Sequence, residues 1–79
     1  MIEAVTTAID IFKDGDPTGV RVEYRDEDSW AVLTRGRGCL SNKGKWDFEP
    51  LPSSRTDAWK AKHRFTKDEA IRLALEVVE

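Results

Sequence analysis

The run Thr66-Lys67-Asp68-Glu69-Ala70-Ile71-Arg72-Leu73-Ala74-Leu75-Glu76-Val77-Val78-Glu79 predicts a helix, and the rest of the chain must cover its apolar side. Thr66 and Glu69 have the spacing of a capping box, and the acids of the first turn suit the positive end of the helix dipole. Ile71, Ala74, Leu75 and Val78 recur at helical spacing to the C-terminus. An amphipathic helix buries its stripe against another layer, and the only large partner the sequence offers is a sheet.

The sheet is read upstream of that helix. Val20-Arg21-Val22-Glu23-Tyr24-Arg25 alternates cleanly, with Val20, Val22 and Tyr24 facing in. Residues 3–12 are rich in β-branched types and place Val5, Thr7, Ile9 and Ile11 on one side, which predicts a strand; a helix over Ile2–Ala8 is the competing reading. Residues 13–19 (Lys-Asp-Gly-Asp-Pro-Thr-Gly) predict the turn between these two strands. The acidic run Asp26-Glu27-Asp28-Ser29 leads to a third strand from Trp30 to Thr34. Arg35-Gly36-Arg37-Gly38 reads as a bulge or bend in it, with Cys39-Leu40-Ser41 as its resumption. Asn42-Lys43-Gly44 has the form of a three-residue hairpin loop, and Lys45–Glu49 is a fourth strand with Trp46 and Phe48 inward. Pro50 and Pro52 end it. Ser54 and Asp57 suggest a capped short helical turn over 55–63. The fold expected is one α+β domain over residues 1–79. It is a four-stranded antiparallel meander packed by one C-terminal helix, with Tyr24, Trp30, Trp46 and Phe48 beneath it.

Composition bounds the function. Seventy-nine residues make one domain, and 39% apolar with 35% charged residues describes an ordinary globular protein. A net charge of −2 argues against a chain that wraps nucleic acid along its whole length. One cysteine cannot form an internal disulfide, and one cysteine with one histidine is too few soft ligands for zinc. No apolar run approaches the roughly 20 residues of a membrane helix, and the N-terminus lacks a signal-peptide pattern, so the expected setting is cytoplasmic.

No residue pattern points to catalysis, cofactor or metal chemistry. His63 sits among Lys60, Lys62 and Arg64, where positive neighbours oppose a basic imidazole, and it reads as a solvated surface residue. Cys39 reads as a half-buried strand residue rather than a reactive thiol. Asp14 and Asp16 resemble part of a calcium loop without its distal ligand, and turn chemistry accounts for them. The chain reads as non-enzymatic.

Charge is more telling. Residues 1–33 hold eight acids and three bases, residues 34–65 hold eight bases and three acids, and residues 66–79 hold four acids and two bases. A basic patch drawn from the middle segment would place Arg35, Arg37, Lys43, Lys45, Arg55, Lys62 and Arg64 at a partner surface, with Trp59 as an aromatic anchor. The null alternative has Trp59 covering a core edge, the charges merely solubilising, and antiparallel pairing cancelling the segment charges.

Trp46-Asp47-Phe48-Glu49-Pro50-Leu51-Pro52-Ser53-Ser54-Arg55, followed by His63-Arg64-Phe65 and the helix beginning Asp68-Glu69-Ala70-Ile71, is similar to small uncharacterised proteins of actinobacteria and their phages. The resemblance covers roughly residues 39–76. It carries no activity, and implies a phage or prophage accessory protein that binds and alters a host protein. It also implies an extended turn over 50–57 in which Arg55 binds carbonyls and pairs with Asp57. The leading expectation is therefore a non-enzymatic module that binds a host protein. The alternative is weak, salt-dependent nucleic-acid binding through 35–64. A homodimer through a free edge strand, or through an uncovered outer face carrying Ala31 and Leu33, is a further option.

Overall fold

The computed structural model describes residues 2–25, 28–36 and 38–79, with Pro52 described by its backbone alone. Five strands lie side by side in chain order: β1 (Ala8–Lys13), β2 (Asp16–Tyr24), β3 (Trp30–Leu33), β4 (Gly38–Leu40) and β5 (Trp46–Phe48). Every neighbouring pair is antiparallel. The meander stands as expected, but with five strands rather than four. The segment read as one interrupted strand is two, because the chain reverses between Leu33 and Cys39, which pair across the turn. Thr34 N–H donates to Gly38 O at 3.1 Å, and Gly36 takes a φ of +81°, a left-handed conformation that glycine adopts without steric cost.

The β1–β2 hairpin is tighter than expected. Lys13 pairs with Asp16 around Asp14-Gly15, at φ +52° and +85°. Two successive positive φ values are what a two-residue I′ turn requires, and its twist matches that of the strands. The rest of the presumed loop, from Asp16 to Gly19, belongs to β2. A bulge follows, where the register slips between Asp10 and Phe12. Thr18 Oγ1 fills it by donating to Ile11 O at 2.7 Å and accepting from Val20 N–H at 3.2 Å. Residues 2–6 form neither strand nor helix, against both readings of that stretch, and Val5 is exposed.

After β5 comes a single 3-10 turn at Pro52–Ser54, then helix α1 (Asp57–His63) and helix α2 (Lys67–Val77). The expected short helical turn is thus a true helix, capped by Thr56 rather than Ser54, since the Thr56 hydroxyl accepts from Trp59 N–H at 3.1 Å. Thr66 caps α2 in the same way, accepting from Glu69 N–H at 3.3 Å.

Helix α2 lies across β2 and β3. Ala70, Leu73 and Ala74 are its buried residues, and they join Ile11, Val20, Val22, Trp30, Val32, Leu40 and Phe65 in the core. Its apolar stripe is centred one position away from the predicted one, which leaves Leu75 exposed. Phe65, which no reading had placed, is buried and pairs with Trp30 through two backbone hydrogen bonds of 2.8 and 2.9 Å. One helix about 10 Å across cannot roof five strands spaced about 4.8 Å apart. Of the four aromatics expected beneath it, only Trp30 is buried, while Tyr24, Trp46 and Phe48 are 37%, 42% and 65% exposed.

The opposite face of the sheet carries the cross-strand row Asp10, Arg21, Leu33, Cys39 and Asp47. It is not uncovered, as the dimer option had supposed. Ala31 and Cys39 on this face are fully buried, beneath a layer built from residues 49–64. No helix among the described residues is long and apolar enough to cross a membrane.

Candidate functional site

The 49–64 layer is organised by one carboxylate. Glu49 follows β5, and its side chain is only 12% exposed. Arg64 Nη2 reaches Glu49 Oε1 at 2.9 Å, Arg25 Nη2 reaches Oε2 at 3.1 Å, and Arg55 Nη2 stands 3.8 Å from Oε1. Arg25 also holds Glu23 at 3.0 Å, and Arg55 Nε donates to Pro50 O at 3.0 Å. Three guanidiniums with two carboxylates leave this nearly enclosed cluster short of acceptors. The deficit is visible at Arg25, whose Nε–H is buried without a hydrogen-bond partner among the described residues.

Beside the cluster, Trp59 stacks on His63 with ring centroids 4.3 Å apart, and the Arg64 guanidinium lies 5.0 Å from the Trp59 ring. His63 is buried, not solvated. Its Nδ1 donates to Trp59 O at 2.7 Å, and its Nε2 meets Asp47 Oδ2 at 2.8 Å, pinning α1 to β5. Arg64 Nη1 approaches the Cys39 sulfur at 3.8 Å. Burial, and after it the charge of Glu49, pushes the Cys39 thiol above its ordinary pKa, outweighing the nearby guanidiniums. This thiol is inert packing.

These contacts sort the predicted binding residues. Arg55 and Arg64 are internal clasps on Glu49, and Arg55 takes that partner rather than Asp57. Trp59 is half-buried in its stack, which removes it as a free anchor. Arg37 lies outside the described residues. Lys43, Lys45 and Lys62 are exposed and share one end of the molecule, because Asn42 N–H donates to Lys62 O at 2.7 Å and ties the β4–β5 hairpin tip to the end of α1. Lys60 lies on the same helix but about 200° around its axis from Lys62. Arg35 stands apart, on the outer face near β2.

What the sequence reading missed is the apolar edge next to those lysines. Trp46 and Phe48, with Leu51 at 57% exposure just beyond, stand open at the last strand of the sheet. Lys45 O bonds back to Ser41 N–H, and Asp47 is paired with Cys39, so Lys45 and Asp47 direct their backbone groups toward β4. By alternation, the N–H and C=O groups of Trp46 point away from the sheet. A usable signal was Pro50-Leu51-Pro52, which forbids a further strand and so marks β5 as an edge. Among the described residues, no group of three or more His, Cys, Asp or Glu side chains is placed to hold a metal. No protein-family model, no curated protein and no solved structure matches the chain.

Proposed function

We propose that this chain is a non-enzymatic protein-binding module, an accessory protein that docks on a host protein by adding an extended segment of that partner to β5. The observation that carries the reading is the position of β5 at the end of the sheet, with Trp46 and Phe48 solvent-exposed along it. Strand addition supplies main-chain hydrogen bonds, and the exposed rings supply the buried anchor area that dominates such interfaces. The occupant is acidic. Lys43, Lys45 and Lys62 border this edge, and none of their ammonium groups meets a carboxylate among the described residues. An acidic segment is therefore steered in, while a basic one is repelled.

The test places a photo-crosslinking amino acid at Trp46 in the native host, with the same group at Leu75 on the opposite helix as control. A single saturable protein adduct from position 46, lost when Phe48→Ala and Lys45→Glu are added, is the expected result. Equal adducts from both positions, adducts of twice the chain mass, or nucleic-acid adducts overturn it.

A further inference from the structure

A second concave surface lies on the outer face of β1–β3, away from the β5 edge. It is a groove of about 520 Å³, within the range of small-molecule sites. Phe12, Pro17 and Leu33 furnish apolar wall, and Arg21, Arg25 and Arg35 line the rest with the carboxylates of Asp10, Glu23 and Glu49.

These arginines are not equivalent. Arg21 is spent on Asp10, at 2.8 Å. Arg25 is divided between Glu23 and Glu49, and still keeps its Nε–H without an acceptor. Arg35 has no hydrogen-bond or ion-pair partner among the described residues. Its stem is nevertheless placed. A Cβ built on Gly19 would stand 3.3 Å from Arg35 Nε and 3.6 Å from its Cγ, so the side chain lies along bare glycine backbone. Gly19 is held at φ +83° by the bulge, which disfavours any side chain there. The fold thus clears a seat for Arg35 and leaves its guanidinium unused at the groove.

The charge account points the same way. The lining sets Arg21, Arg25 and Arg35 against Asp10, Glu23 and Glu49, and Arg55 and Arg64 behind the groove already share the charge of Glu49. We infer that this groove binds a small oxyanion-bearing molecule, with a carboxylate or phosphate oxygen pair taken bidentately by Arg35 and a flat apolar body laid against Phe12 and Leu33. A guanidinium fork matches both oxyanions, and an aromatic ring suits the wall.

The test is a ¹⁵N-detected NMR titration with adenosine 5′-monophosphate, 2-naphthoate and uncharged adenosine. Saturable shifts at Gly19, Leu33 and Gly36 with either anion are expected, with adenosine at least tenfold weaker. Response to the phosphate alone or to the carboxylate alone fixes which oxyanion is taken. Arg35→Gln should weaken binding at least tenfold and Arg35→Lys should lose the bidentate part of that, while Arg72→Gln on α2 leaves it unchanged. Equal binding of adenosine, no saturation by either anion, or shifts confined to the lysine end overturn the inference. Because Arg35 is exposed, its variants fold, and the amide spectrum confirms this in the same samples.

Discussion

Glu49 shows how differently one residue type behaves when its surroundings change. On α2, the Arg72–Glu76 pair has both side chains more than half exposed, and such pairs contribute a few tenths of a kcal/mol. Glu49 instead answers three guanidiniums inside a nearly dry layer. Removing its charge leaves Arg25, Arg55 and Arg64 facing one another, and uncompensated charge is the costly outcome. Glu49→Gln should therefore destabilise by about 2–4 kcal/mol, against less than about 0.5 kcal/mol for Glu76→Gln, both measured by urea denaturation. Near-equal losses would mean the cluster is solvated. Cys39 gives a second reading of the same layer. Its pKa is raised in the fold, so the folded state resists losing the thiol proton while the unfolded chain does not. Stability from this group is present below the ordinary thiol value of 9.0 and is lost as the pH climbs past it. The stability of the native chain relative to Cys39→Ala should accordingly shrink between pH 8 and pH 10, by at most about 1.4 kcal/mol per pH unit. A flat difference would place the thiol in contact with water.

Among the elements, those with strong local chemistry were legible and those decided at long range were not. Thr66 announces α2 because its cap and its apolar period act within four residues. The Asn42-Lys43-Gly44 turn is likewise local, with Gly44 at φ +76°. By contrast, Trp46 and Phe48 alternate as any half-buried strand does, and no pattern within β5 tells whether a helix reaches that far. Arg55, Arg64 and His63 read as surface cations, because their partners Glu49 and Asp47 lie 6 to 16 residues away in the chain. The β3–β4 break was hidden by its glycines, which serve a bulge and a reversal equally well. Gly38 is the residue that leaves no room for a side chain at the reversal: a Cβ there would collide with the Thr34 Cγ2 methyl and meet Trp46 Cε3 at 3.8 Å. Gly38→Ala should therefore destabilise by about 1–3 kcal/mol. Thr34→Ser removes the methyl, so adding it to Gly38→Ala should recover most of that loss. A double-mutant cycle by thermal melting checks this, and no recovery would mean that backbone freedom, not the methyl, is what Gly38 provides.

At the scale of the whole molecule, four of the arginines are spent inside the fold. Arg21 and Arg25 from the acidic third pair with Asp10 and Glu23, while Arg55 and Arg64 from the basic third turn inward onto Glu49. Among the described residues, what reaches the surface as a cluster is Lys43, Lys45 and Lys62 at one end, with Arg35 apart from them. That bounds the nucleic-acid alternative quantitatively. Counterion release scales with the number of phosphates neutralised, so three lysines on a single strand give a slope of log affinity against log salt of about −2. Trp59 is not free to act as a stacking platform, since it is engaged by His63 and Arg64. Retention of a single-stranded oligonucleotide should therefore be lost by about 0.15 M salt in a filter-binding series. A slope steeper than about −5 that falls back when Arg55→Gln and Arg64→Gln are introduced would mean that these two leave Glu49 and reach the strand. Such a result would unseat both the buried cluster and the protein-docking reading that rests on the lysines being the free charges.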